Sequence, residues 1–291
     1  MFYQLQKYNL VVNNIIFNFL DFFSIFTQKK LSTFNYKNTA INYSDSGKGN
    51  TILLIHGFLE DATMWKDLTL HLDKRYRVIS VDLLGHGKSD CYGYVHTMED
   101  QADMLFALIS ELRLRKVSLI GHSMGGYIAL AFAELYPDNV RSLILLNSSA
   151  QPDSEERKIN RDRAIDVVKK NSTAFIRMAT QNLFDKEAHN LFADKIEAFT
   201  QQALKTPLQG IIAALEGMKI RIDREALLHF SPYPKLIIAS EKDTIIPLND
   251  IKNQVAGADV TFEIIPGGHV STIEQAPKIA SIISQFLKKN S

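Results

Sequence analysis

Gly121-His122-Ser123-Met124-Gly125-Gly126 follows the apolar run Val117-Ser118-Leu119-Ile120 and precedes a helix-forming stretch, Tyr127-Ile128-Ala129-Leu130-Ala131-Phe132-Ala133. A strand, a sharp turn and a helix in that order leave the turn's serine at the tip with its hydroxyl projecting outward. Glycine is needed at 121 and 125, because so tight a reversal brings strand and helix backbones close enough for a Cβ to collide. The first amides of the helix, Met124 foremost, then point toward negative charge. These are the requirements of a serine nucleophile. A serine hydroxyl attacks poorly near neutral pH, so a base must take its proton and a third group must hold that base in the right tautomer. Parallel strands open their carboxyl ends on one edge, which places the partners of Ser123 after later strands. Asp243 comes shortly after an apolar run at 234–240, and His269 follows another at 260–266 through Gly267-Gly268. Glu241 and Asp250 are rival carboxylates, but Glu241 falls at the strand end and Asp250 in the following helix, so Asp243 is the preferred acid.

The elements that must position these groups are legible as short Val/Ile/Leu-rich runs alternating with helical segments, the pattern of a mostly parallel sheet covered on both faces. Strands are expected at 41–44, 51–56, 76–82, 116–121, 140–147, 234–240 and 260–266, with helices near 62–72, 97–112, 124–136, 248–255 and 273–287. The turn-rich link Asp45-Ser46-Gly47-Lys48-Gly49-Asn50 predicts that the first two strands form an antiparallel hairpin. Between 147 and 234 no strand is expected; 157–170, 174–183, 187–204 and 208–218 read as helices of an inserted cap, whose charges nearly cancel and offer no evident grip on a highly charged substrate.

A chain of 291 residues, 46% hydrophobic and 22% charged, is long enough for a large core. With 33 basic against 32 acidic residues, net charge +1, it lacks the basic excess that a nucleic-acid partner requires. Cys91 is the single cysteine, so there is no intrachain disulfide framework and cytoplasmic residence is the default expectation. Residues 1–30 are rich in Phe, Leu and Ile, yet the longest charge-free stretch, 8–20, carries four asparagines and is short for a membrane span. It lacks an Ala-x-Ala-like cleavage site, and the helical spacing of Leu5, Tyr8, Val12, Ile15, Phe19, Phe22 and Phe26 suits an amphipathic helix. Peripheral membrane contact through 1–30, or export, stands as the alternative to a cytoplasmic protein.

Four motifs together resemble the α/β-hydrolase fold superfamily over roughly residues 35–288: the Ser123 turn, His56-Gly57-Phe58, Asp82-Leu83-Leu84-Gly85-His86-Gly87-Lys88-Ser89, and the late Asp243 and Gly267-Gly268-His269 loops. The resemblance implies an α/β fold with a mostly parallel, doubly wound sheet of about eight strands and a helical cap insertion. It divides the chain into an N-terminal extension 1–34, a core at 35–148 and 232–291, and a cap at 149–231. It further implies Ser123 as nucleophile, His269 as general base and then acid, Asp243 as the orienting carboxylate, and the Phe58 and Met124 amides as oxyanion hole. Trp65 and Tyr127 could line an acyl pocket or fill the core. His56, His86 and His122 are expected to pack beside the turns, and His71, His96, His189 and His229 to be solvated or to lie in the cap.

Gly85-His86-Gly87-Lys88-Ser89 ends like a phosphate-binding loop, but Asp82 stands where that motif needs its first glycine and would repel phosphate. No metal-ligand spacing occurs, and no cofactor is expected. A serine at the turn implies an acyl-enzyme and hence esters, thioesters, lactones or activated amides, with a small-molecule substrate. Two alternatives share the triad. His56-Gly57-Phe58-Leu59-Glu60-Asp61 and Glu155-Glu156-Arg157-Lys158 resemble the menaquinone-pathway synthase group that eliminates pyruvate, although Tyr127 stands where that group has an arginine. The other alternative is a slow-turnover sensor that signals to a protein partner.

Overall fold

The computed structural model describes residues 30–290. Of the stretch 1–30, for which an amphipathic helix and membrane contact are expected, residues 1–29 lie outside the described residues. Eight strands form one sheet: β1 (Lys30–Tyr36), β2 (Thr39–Ser46), β3 (Thr51–Ile55), β4 (Arg77–Val81), β5 (Val117–His122), β6 (Val140–Leu146), β7 (Lys235–Ser240) and β8 (Thr261–Ile265). Their order is β1-β2-β4-β3-β5-β6-β7-β8; β2 runs antiparallel to β4, and β4, β3 and β5 through β8 are mutually parallel. The sheet therefore begins at Lys30, inside the stretch expected to precede the domain.

The expected hairpin between β2 and β3 does not form. Every residue of β3 is buried, with Leu53 and Ile55 in one apolar cluster and Ile52 and Leu54 in another. A strand apolar on both faces belongs in the sheet interior, and β3 takes that place between β4 and β5. The link after β2 crosses over to reach it. Gly47, at φ 74°, packs so tightly on the carbonyls of Asp73 and Tyr76 that no side chain fits. Asp45 bridges Arg77 at 2.6 Å and fixes β2 to β4.

Helices α1 (Lys66–Leu72), α2 (Met98–Glu111) and α3 (Met124–Leu135) occupy the first half of the chain. Between β6 and β7 come α4 (Glu155–Gln181), α5 (Lys186–Leu191), α6 (Ala193–Ala203), α7 (Leu208–Lys219) and α8 (Ala226–Phe230); α9 (Leu248–Val255), α10 (Ser271–Glu274) and α11 (Ala276–Lys289) follow. The two helices expected at 157–170 and 174–183 are both present within α4 and meet at a kink where Asn171 leaves helical geometry and caps the amide of Ala174. One face of the sheet packs on α2 and α3 through residues such as Leu105, Leu108 and Ile128, and the other on α1 and α11 through Leu68, Leu72, Ile279 and Ile283. Trp65 is fully buried in this second cluster and fills core, not a pocket.

Helix α3 is apolar nearly all round, as a helix in the middle of the protein must be. Its first turn lies against the end of β3. A methyl on Gly125 would overlap the carbonyl oxygens of Ile55 and His56, and one on Gly121 the backbone of Gly125. Gly125→Ala is expected to lower the free energy of urea unfolding by about 3 kcal/mol, the upper range for overpacking. Gly257→Ala, whose methyl meets open space at φ 75°, should lose only about 1 kcal/mol through its left-handed backbone.

Candidate active site

Ser123 sits between β5 and α3 at φ 50°, ψ −118°, a left-handed conformation that non-glycine residues avoid. Its surroundings leave no other path: its amide donates to Leu146 O at 3.1 Å, and its carbonyl accepts from the Ser148 hydroxyl at 2.8 Å and the Gly126 amide at 2.9 Å. The hydroxyl meets His269 Nε2 at 2.8 Å, and His269 Nδ1 meets Asp243 Oδ2 at 2.8 Å and Oδ1 at 3.0 Å. The three residues named from sequence thus converge at the carboxyl edge of the sheet. Glu241 and Asp250, the rival acids, are both exposed.

Asp243 is buried and surrounded by donors. Ile245 and Ile246 amides reach Oδ1 at 2.8 and 2.9 Å, and Asn147 Nδ2 reaches Oδ2 at 2.9 Å. Burial alone would raise its pKa, but the attraction and hydrogen bond of His269, the Ile246 amide and Asn147 outweigh that and hold it below the ordinary carboxylate range. An ionised carboxylate only accepts, so His269 Nδ1 carries the proton. Its Nε2 is then the acceptor for the Ser123 hydroxyl.

His269 is also held by its backbone. Its carbonyl accepts from Nε2 of His122, which is fully buried, at 2.9 Å, and His122 Nδ1 meets Glu60 Oε2 at 3.0 Å. Burial would lower the His122 pKa, but the charge and hydrogen bond of Glu60 and the His269 carbonyl prevail and raise it. The Gly57 amide also donates to Glu60, tying this pair to the loop after β3. Phe58, on that loop, shares a cavity of about 610 Å³ with Ser123 and His269. Met124 opens α3, so its amide belongs to the group that no intrahelical carbonyl satisfies. Tyr127 lines the same cavity, and the Arg221 guanidinium stacks 4.0 Å from its ring centroid. Helices α4 and α7 contribute Arg157, Arg161, Phe175, Met178 and Met218 to its lining.

Residues 50–276 match the family described as the alpha/beta hydrolase fold. The chain belongs to that family. A thermophilic esterase from Thermogutta terrifontis, solved with malate bound, superposes with a TM-score of 0.84 at 34% identity over 91% of this chain and 99% of its own. The 3-oxoadipate enol-lactonase 1 of Acinetobacter baylyi is 27% identical over 87% of this chain and 94% of its own length. The dihydrolipoyllysine-residue acetyltransferase component of the acetoin cleaving system of Pseudomonas putida is 28% identical over 84% of this chain, which spans 65% of that longer protein. The chain is an α/β-hydrolase enzyme.

Several groups of this hydrolase act differently from what sequence suggested, or went unnoticed. His96, expected to be solvated or in the cap, is fully buried and accepts from the Tyr92 amide at 3.2 Å. His56, His86 and His122 are buried beside the turns, as expected. Asp82 organises its loop by accepting from the Ala62 and Lys88 amides and the Asn42 amide group, within 2.9 Å. Among the described residues no metal-binding cluster is found, and no helix is long and apolar enough to cross a membrane. Asn147, Ser271 and Glu60 were not singled out for the site. Each supports it through a partner distant in sequence, Ser271 by donating to Asn147 Oδ1 at 2.8 Å.

Burial and the neighbouring His56 press the His86 pKa down to about 3. The unfolded chain binds that proton from pH 6.5 downward, so His86 favours the folded state above 6.5 and its contribution is lost progressively as pH falls toward 3. Thermal unfolding of the wild type should lose midpoint between pH 6.5 and 4, with a shallower slope in His86→Gln. The contribution of Asp243 should persist until pH drops through its own depressed value, below 3.8.

Proposed function

We propose that this enzyme is a serine hydrolase that cleaves a small carboxylic ester, thioester or lactone through an acyl-enzyme. Ser123 attacks the carbonyl as His269 Nε2 takes its proton, and the tetrahedral oxyanion rests on the Phe58 and Met124 amides. The imidazolium that forms is stabilised by Asp243 and passes its proton to the leaving oxygen or sulfur. Water then enters, gives a proton to His269 and attacks the acyl carbon, and collapse of the second intermediate releases the acid and Ser123. Residues 149–231 serve as the cap over the cavity, supplying Phe175, Met178 and Met218 as apolar walls for the acyl group.

The observation that carries this reading is the His269 imidazole, hydrogen-bonded at 2.8 Å to Ser123 on one side and to Asp243 on the other. The esterase and enol-lactonase among the relatives act, by their names, on the same kinds of bond. With short p-nitrophenyl esters, Ser123→Ala is expected to remove turnover and to abolish labelling by a fluorophosphonate probe. Asp243→Asn should lower kcat by on the order of 10⁴-fold, because the imidazole loses the partner that sets its tautomer. Labelling or turnover that survives in Ser123→Ala overturns the assignment.

A further inference from the structure

The cap as a whole is nearly neutral, but its charges are not evenly placed. Arg157, Asn160 and Arg161 fall three and four residues apart on α4 and all line the Ser123 cavity. Arg161 is bound to Asp153 at 2.5 Å, and Arg221 binds the other oxygen of that same buried carboxylate at 2.5 Å. Arg161 and Arg221 together hold the Asp153 pKa down against its burial. Two guanidiniums therefore share one carboxylate. Arg157 is the one left over: its hydrogen bond runs to a neutral group, Ile245 O, at 2.7 Å. Among the described residues no carboxylate lies within ion-pair distance of it. Glu60, the acid among the described residues that line the cavity, is committed to His122.

A half-buried guanidinium facing a largely apolar cavity is poorly solvated and attracts an anion more strongly than the same group on an open surface. The planar, always charged fork of arginine suits a carboxylate in particular. We propose that the substrate of Ser123 carries a second carboxylate, docked on Arg157 with Asn160 beside it, several carbons from the scissile carbonyl. The substrate class is then a half-ester, half-thioester or carboxylated lactone derived from a dicarboxylic acid. This rests on the acyl-hydrolase reading above. A cavity of about 610 Å³ has room for such a short chain along its apolar wall. Arg221 stays on Tyr127 and Asp153, and Arg161 stays on Asp153, which leaves the anion to Arg157.

The test compares kcat/KM for mono-p-nitrophenyl glutarate and p-nitrophenyl pentanoate, with Ser123→Ala protein as the blank for spontaneous hydrolysis. The wild type should favour the anionic ester by about tenfold or more, as expected for a hydrogen bond to a charged group. Arg157→Gln should bring the ratio near one, mainly through KM, Arg157→Lys should keep part of it, and Arg157→Glu should invert it. A readout independent of turnover is calorimetric binding of glutarate to Ser123→Ala, which should weaken when Arg157→Gln is added and as salt rises. Equal or opposite preference in the wild type, or an unchanged ratio in Arg157→Gln, overturns the anion site while Ser123-dependent hydrolysis of both esters keeps the hydrolase reading. Arg157-dependent glutarate binding with neither ester hydrolysed supports the anion site and sinks the hydrolase reading.

Discussion

The site depends on one steric constraint: Ser123 occupies a left-handed backbone conformation that survives only because glycines at 121, 125 and 126 let α3 press onto the end of β3 and onto Ser148. That conformation costs on the order of 1–3 kcal/mol and would relax in a looser turn. Here the amide and carbonyl of Ser123 are both hydrogen-bonded to the strand-end region of β6, at Leu146 and Ser148, so relaxation would break these contacts as well. The same packing that strains the serine also aims its hydroxyl at His269 and sets the helix amides beneath it. The strain at Ser123, the direction of its hydroxyl and the placement of the first helix amides thus have a common origin in backbone contact.

A second layer keeps the imidazole in register. Asp243 exchanges water for two backbone amides and Asn147, so its charge is satisfied before His269 arrives. The ion pair of His122 and Glu60 holds the backbone of His269 from the other side. Buried pairs of this kind gain little net stability over apolar packing, yet they fix geometry strongly, since breaking one strands a charge. His269 is in this way restrained at both its ring and its carbonyl.

How much of this was legible in sequence follows from the range of each interaction. Ser123, Asp243 and His269 stand in local motifs at strand ends, where the chain's own turns announce them, and the parallel strands from β4 onward carry their apolar patterns with them. Pairing partners are not local. A turn-rich link after β2 looks like a hairpin, and only the two-sided burial of β3 explains why β4 intervenes. Trp65 reads equally well as pocket or core because sequence does not say which face of the sheet its short helix covers. Asn147, Glu60 and Ser271 act through contacts more than sixty residues away in the chain. The arginines are hidden for a different reason: summed over 149–231, charge nearly cancels, whereas folding pairs Arg161 and Arg221 with a single aspartate and leaves Arg157 on a neutral carbonyl.

The central claim is that bond cleavage passes through a covalent ester on Ser123, formed while His269 holds the proton. Acid-quenching the wild-type enzyme during turnover of a p-nitrophenyl ester, followed by mass analysis of the digested protein, tests this directly. The account predicts that the acyl mass appears on the peptide containing Ser123 and disappears as substrate is exhausted. Steady turnover with no adduct on that peptide, or an adduct on a different residue, would contradict it.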